Sequence, residues 1–271
     1  MSQSTKSVRD SFWLWGHAAG VHCTGNWGLP PVSRMTPAEA AMYMGIPNML
    51  MVGFGKPPQP PSDQYEQYAI SFRPLSRVVW SIVGAGALTG AEDRARAIDL
   101  ARRHPNISGV IMDDFFTGMQ KGKKPPLSPD ELREVRRTLV LPDRRLDLWV
   151  VLYDMELALS FGDYLDLCDK VTFWTWHAKD LDKLEDNFAR AEKLAPRAGK
   201  ILGIYMWDYG DKKPIPVEVM ERQCETGLKW LREGRIEGMI FLPSCICDME
   251  LEAVEWTRRW IAKRGSEVMP A

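Results

Sequence analysis

The stretch ISGVIMDDFF, residues 107–116, begins as an apolar run and ends at two adjacent carboxylates followed by two rings. The apolar part predicts a buried parallel strand, because strands covered on both faces have nearly continuous hydrophobic sequences. A buried Asp is costly unless it is paired or used, and α/β proteins place their sites at the carboxyl ends of parallel strands. We therefore expect Asp113 and Asp114 to mark a functional site.

Seven other apolar runs predict seven further strands, and segments of helical periodicity follow them. The runs are residues 12–16, 48–54, 78–84, 146–153, 171–176, 201–207 and 236–242. The helical segments are residues 37–45, 63–72, 91–103, 129–139, 155–167, 181–195, 217–232 and 251–263. Two of them begin with a capping box and a Pro at the first helical position, at Thr36 and at Ser128.

Strand and helix thus alternate eight times, which predicts a single (β/α)8 TIM barrel. A doubly wound open sheet would more often have about five or six strands. Linkers between strand and following helix are long, at residues 17–35, 55–62, 117–128 and 209–216. The opposite linkers are short, so the elaborated end is the carboxyl-terminal mouth where barrel enzymes keep their sites. A mouth elaborated only for oligomerisation is the alternative.

Composition predicts one domain over residues 1–271, with tails at 1–10 and 266–271. The net charge of -1 gives no nucleic-acid footprint, and no apolar stretch is long enough to span a membrane. The start of the chain lacks the apolar core of a signal peptide, although a removed one stays possible. Five cysteines favour reduced thiols and a cytoplasmic location. The oligomeric state stays open.

Aromatic and acidic side chains converge on the predicted mouth. We expect the following residues to bind substrate: Trp15, His17, Trp80, Asp114, Tyr153, Trp174, Trp176, His177, Tyr205 and Trp207. Rings beside carboxylates suit a sugar, whose C–H faces pack on π systems while acids act on the glycosidic bond. The alternative for each Trp is an orientation toward the helices, because successive strand residues face opposite ways.

The run from Gly109 to Asp113 resembles a Gly-x-x-x-Asp pattern at strand 4 of several barrel glycoside hydrolases. The resemblance implies that Asp113 is catalytic and faces the substrate. Because neighbours on a strand point to opposite sides, Asp114 would instead hold a loop or a neighbouring strand. The chain looks like a divergent branch of the glycoside-hydrolase-like TIM barrels.

Two layouts of that group offer catalytic partners for Asp113. An α-amylase-like arrangement implies Asp113, Glu156 and Asp208 after strands 4, 5 and 7, although Ile111 stands where a basic residue is usual. In the clan that uses Glu after strands 4 and 7, the corresponding positions hold Asp113 or Asp114 and Asp208, without the expected Asn-Glu pair. We expect Asp208 to be the proton donor, because the neighbouring Trp207 indicates an apolar setting that raises the pKa of a carboxyl. A small carbohydrate is the expected substrate, without cofactor or metal.

Two other classes of function stay open. A metal-dependent hydrolase, lyase or isomerase could use His17, His22, Asp113, His177 and Asp208 as ligands. A carbohydrate-binding barrel without chemistry would need no pair of repelling acids. A smaller hypothesis is a zinc site.

That zinc site would join Cys245 and Cys247 to His22 and Cys23, since strand 8 closes beside strand 1. Because the spacing is Cys-x-Cys and not Cys-x-x-Cys, packed core thiols are the favoured interpretation.

Overall fold

Eight parallel strands close into one barrel in the computed structural model, which describes residues 6–54, 62–242 and 244–270. In chain order they are β1 (Phe12–Gly16), β2 (Asn48–Met51), β3 (Arg77–Val83), β4 (Ile107–Met112), β5 (Asp147–Tyr153), β6 (Lys170–Trp174), β7 (Gly199–Tyr205) and β8 (Gly238–Leu242). The pairing of β8 with β1 closes the ring, with Phe12 beside Met239. The predicted (β/α)8 barrel is confirmed. The predicted loop at residues 55–62 lies outside the described residues, except for Ser62.

Seven α-helices cover the barrel in the described part of the chain. They are α1 (Pro37–Met44), α2 (Ser62–Ser71), α3 (Ala91–Arg103), α4 (Pro129–Thr138), α5 (Leu184–Leu194), α6 (Val217–Arg232) and α7 (Glu252–Arg264). Both predicted capping boxes are present, because the Thr36 and Ser128 hydroxyls accept from the amides of Glu39 and Glu131. None of these helices combines the length and apolar character that crossing a bilayer requires.

The helix predicted over residues 155–167 is absent, and this prediction was wrong. Two single-turn 3-10 helices, Asp154–Glu156 and Leu165–Leu167, stand in its place between β5 and β6. Between them Gly162 has a φ of 53°, a left-handed conformation that ends a right-handed helix. The spacing of apolar residues there is helical, but the Gly162 turn overrides it.

Tryptophans from opposite strands meet inside the barrel. Trp13 and Trp149 lie 4.9 Å apart between ring centroids, and Trp15 and Trp174 lie 5.1 Å apart, both pairs edge to face. Strand β1 is not hydrogen-bonded to β5 or β6, so these contacts cross the interior. The barrel is therefore a packed core up to its mouth, as expected of this fold.

A short hairpin extends the barrel beyond β7. Its strands, Trp207–Asp208 and Lys213–Pro214, pair antiparallel. We call residues 207–214 the rim hairpin. The indole N–H of Trp207 donates to the carbonyl of Trp27 at 2.9 Å, so the rim hairpin fastens the long loop that follows β1.

Candidate active site

A small cavity with a volume of about 70 Å³ opens at the carboxyl ends of the strands. Its described lining consists of Trp15, His17, His22, Trp27, Phe54, Ala85, Asp113, Asp114, Tyr153, Trp176, Tyr205, Tyr209 and Leu242. Residues at or just beyond the carboxyl ends of all eight strands therefore meet here. Seven of the predicted site residues lie on this wall.

Asp113 is the more deeply buried of the two adjacent acids, with 4% of its surface exposed. Its amide donates to the carbonyl of Val83, which ties the end of β4 to β3. Its carboxylate oxygen Oδ1 accepts from the amide of Asp114 at 2.9 Å. Burial, reinforced by the charge of Asp114, raises the pKa of Asp113 well above its ordinary value. The Asp113 carboxyl thus favours its protonated form.

Asp114 also lines the cavity, although strand alternation predicts that it turns away. The alternation does not apply because β4 ends at Met112 and Asp114 has a φ of 51°. Its Oδ2 accepts from the amide of Gly86 at 2.6 Å, and its Oδ1 accepts from the Tyr153 hydroxyl at 2.9 Å. These contacts join the loop after β3 to the end of β5. Asp114 makes the predicted contacts to a loop and a neighbouring strand, but it makes them from the cavity wall and does not turn away from it.

The aromatic wall is a chain of edge-to-face contacts. Trp176 lies 5.7 Å from Tyr153 and 5.9 Å from Tyr205 between ring centroids, at interplanar angles of 83° and 86°. Tyr209 lies 5.1 Å from Tyr205 and 5.5 Å from Trp27. Such geometry places electropositive edges on electronegative faces and fixes the rings. The buried indole N–H of Trp27 has no partner among the described residues, so it can donate to a ligand.

His17 is a neutral histidine with its proton on Nδ1. Burial lowers its pKa to about 4. The indole N–H of Trp15 donates to Nε2 at 3.0 Å, so Nε2 is an acceptor. The other nitrogen, Nδ1, donates to the carbonyl of Val52 at 3.0 Å. Both ring nitrogens are satisfied by protein, which gives His17 a fixed orientation in the wall.

His22 has the opposite tautomer. Burial, with a smaller effect of His17, lowers its pKa to about 2. Its Nδ1 lies 2.9 Å from the Cys245 sulfur and 3.2 Å from the Tyr209 hydroxyl, both of which can donate. Burial raises the pKa of the Cys245 thiol to about 12, so the thiol keeps its proton. Accepting at Nδ1 leaves the proton of His22 on Nε2.

The predicted approach of Cys245 to His22 is therefore present, but a zinc site is not formed there. Cys23 instead donates to the carbonyl of Ser33 at 3.3 Å. Cys245 and Cys247 are buried free thiols. Among the described residues, the cluster whose ligand atoms come within 4.8 Å of one another is His177, Asp208 and Asp211. Asp208 and Asp211 lie in the rim hairpin and His177 lies beside it, and none of the three is on the cavity wall.

Four predicted aromatic or imidazole residues do not line the cavity. Trp80 faces outward to the rings of Tyr65 and Phe72. Trp174 is inside the barrel beneath the cavity, where its N–H donates to Thr172. Trp207 turns to the loop after β1, and His177 turns to Asp211. Strand alternation accounts for Trp80, and Trp174 lies too deep.

Two predicted catalytic acids are also absent from the wall. Glu156 is fully buried behind it, where its carboxylate accepts from the Tyr153 amide at 2.9 Å. Asp208 is 1% exposed, and its Oδ1 accepts from the Asp211 amide at 2.9 Å. The turn into the rim hairpin takes Asp208 away from Asp113. The partner acid on the wall is thus Asp114.

Several wall residues were missing from the predicted site. These are Trp27, Phe54, Ala85, Tyr209 and Leu242, together with His22, which appeared only as a metal or zinc ligand. Trp27 belongs to a long loop, and loop composition carries no sign of the direction in which the loop folds. Tyr209 had a signal, since it follows the seventh strand closely.

No protein-family model and no curated protein matches the sequence. Solved structures nevertheless resemble it in three dimensions. The GH99 endo-alpha-mannosidase from Bacteriodes thetaiotaomicron has a TM-score of 0.55 at 10% identity, covering 94% of this chain and 97% of that one. The GH113 beta-mannanase from Alicyclobacillus acidocaldarius has a TM-score of 0.51 at 11% identity, covering 97% and 92%.

A xylanase-A-amylase inhibitor protein is equally similar, with a TM-score of 0.55 at 13% identity over 94% of this chain and 98% of that one. The structural neighbours thus include TIM-barrel glycoside hydrolases and a protein described as an inhibitor. At these identities the likeness shows the fold alone. The function has to be argued from the cavity.

Proposed function

We propose that this protein cleaves a glycosidic bond in the cavity, with Asp113 as the general acid and Asp114 as the partner carboxyl. The observation that carries the proposal is the unequal environment of the two acids on one ring-lined wall. Asp113 is buried and its pKa is raised, whereas Asp114 accepts from the Gly86 amide and the Tyr153 hydroxyl. Acid catalysis on glycosides uses two carboxyls held in different protonation states.

In this mechanism Asp113 gives its proton to the glycosidic oxygen as the bond from that oxygen to the anomeric carbon breaks. Positive charge then develops on the sugar ring, and the Asp114 carboxylate lies beside it. The oxygen of a water molecule bonds to the anomeric carbon, and Asp114 accepts the proton that the water releases. A later proton transfer from Asp114 to Asp113 restores the starting state.

The rest of the wall fits a small carbohydrate. Trp176, Tyr205 and Tyr209 are aromatic lining residues of the kind that pack against the apolar side of a sugar. The unpaired N–H of Trp27 is a donor for a sugar hydroxyl. Among the described lining residues Asp113 and Asp114 are the carboxylic acids, so the proposed chemistry uses this pair.

The test is sugar release from a panel of 4-nitrophenyl glycosides and soluble oligosaccharides. On any glycoside that is cleaved, we expect Asp113→Asn and Asp114→Asn each to lower kcat/KM by at least about 100-fold, the lower end of general acid–base contributions. Glu156→Gln is the matched control, because Glu156 is an equally buried acid behind the wall. It should keep kcat/KM within about fivefold of the wild type.

Two results would contradict the proposal. One is full activity of Asp113→Asn on a glycoside that the wild type cleaves. The other is cleavage of no glycoside in the panel. If sugars then still quenched the fluorescence of the cavity tryptophans, the barrel would be a carbohydrate-binding protein without chemistry.

A further inference from the structure

A second cluster of ligand-type side chains lies beside the cavity and outside its wall. Asp208 and Asp211 belong to the rim hairpin, which follows β7. His177 follows β6, the strand that pairs with β7. One nitrogen of His177 and one oxygen of each Asp lie within 4.8 Å of one another. The cluster is not used by the proposed glycosidic chemistry.

The carboxylate of Asp208 is buried, and only one of its two oxygens has a hydrogen-bond donor among the described residues. Only 1% of its surface is exposed. Its Oδ1 accepts from the Asp211 amide, but its Oδ2 is buried and has no partner among the described residues. A buried carboxylate oxygen without a donor is costly, and structures normally relieve this cost with a partner or a cation. The orphaned oxygen belongs to the one member of the cluster that solvent does not reach.

His177 is held beside Asp208 by the backbone of the rim hairpin. Its ring packs on Gly210, where a Cβ would overlap Nδ1 and its neighbours. Its Nδ1 lies 2.6 Å from Oδ1 of Asp211. Any larger residue at position 210 would displace the imidazole, so the hairpin is shaped to receive this ring.

We propose that His177, Asp208 and Asp211 form a binding site for a divalent first-row metal ion, with Zn²⁺ as the reference ion. One imidazole nitrogen with two carboxylate oxygens is a donor set that suits such ions, whereas Ca²⁺ and Mg²⁺ prefer oxygen alone. Zinc bonds of about 2.0–2.2 Å at tetrahedral angles place the ligand atoms roughly 3.4 Å apart. The three ligand atoms lie within 4.8 Å of one another, so metal binding requires them to approach by up to about 1.4 Å.

Two lysines compete with the ion for Asp211. Lys213 Nζ lies 3.4 Å from Oδ2, and Lys179 Nζ lies 3.9 Å from Oδ1. A bound cation repels both ammonium groups and replaces them as the partner of the carboxylate. Removing Lys213 should therefore strengthen metal binding at this cluster. The same substitution would not strengthen binding at an unrelated surface site.

The experiment is titration of the full-length protein with Zn²⁺ by isothermal calorimetry, with a thermal shift as second readout. We expect one equivalent to bind. His177→Ala and Asp211→Asn should each weaken binding by more than about tenfold, since even outer-shell changes cost about 10–100-fold. Lys213→Met should strengthen it. Asp211 is partly exposed, so its variant keeps the test valid if His177→Ala folds poorly.

Two controls separate this cluster from other places where zinc could bind. His104→Ala removes a buried histidine that pairs with Glu66 on the outside of the barrel. Cys245→Ser removes the thiol that contacts His22. Both variants should bind Zn²⁺ like the wild type. Absence of stoichiometric binding, or binding that survives in His177→Ala and in Asp211→Asn, would overturn the proposal.

Discussion

Asp113 and Asp114 differ in environment although they are neighbours in the chain. The backbone of Asp114 leaves the extended conformation at a φ of 51°, which Asp tolerates better than most residues. This single change brings both carboxyls to one wall and points one of them at two donors. The paired acids were predictable from residues 107–116, but the positive φ that groups them was not.

Glu156 gives a prediction about pH and stability at the residue scale. Burial raises its pKa from 4.5 to about 7. A group with a raised pKa stabilises the fold while it is protonated, so this contribution is lost as the pH rises from 4.5 to 7. The loss is on the order of 3 kcal/mol.

Glu156→Gln should remove that loss. In the variant, the side-chain amide oxygen can still accept from the Tyr153 amide, and the side-chain NH₂ can donate to the hydroxyl of Thr117. Urea unfolding at several pH values checks this: the variant should gain stability relative to the wild type between pH 4.5 and 7. An unchanged difference across that interval would show that Glu156 ionises normally in the folded protein.

The strands show what amino-acid patterns specify well. Each predicted strand begins within two residues of an observed one, because continuous apolar runs bounded by polar residues are typical of buried parallel strands. Depth within the barrel was less evident. Trp174 has the apolar setting expected of a site residue, yet it packs against Trp15 under the cavity.

Strand β7 makes room for that ring with a glycine. A Cβ at Gly203 would overlap the Trp174 ring. Gly203→Ala should therefore lower the free energy of unfolding by about 1–3 kcal/mol, the usual cost of overpacking a core. Chemical denaturation measures this change.

Gly118→Ala is the matched control for Gly203→Ala. An added Cβ at Gly118 meets only ordinary contacts, with Lys123 at 3.4 Å, and its φ is not positive. Its stability should change by less than about 0.5 kcal/mol. Equal effects of the two substitutions would show that Trp174 does not fill the space beside Gly203.

At the scale of the whole molecule, the alternation of strands and helices predicted the barrel and the end that carries the cavity. The paths of the loops determine which other residues line the site. The rim hairpin turns Asp208 away from the mouth and fastens Trp27 onto the wall. Such long-range contacts depend on loop paths, and periodicity says nothing about those. The barrel strands position Asp113 and Asp114, and the loops determine which side chains surround them.

The central claim is that burial favours a protonated Asp113 on the wall where Asp114 accepts two hydrogen bonds. Infrared difference spectroscopy at pH 6, above the ordinary Asp pKa of 3.8, tests it without knowledge of the substrate. The wild type should show the carbonyl band of a protonated carboxylic acid that Asp113→Asn lacks and Asp114→Asn keeps. Identical spectra of wild type and Asp113→Asn in that region would contradict the claim.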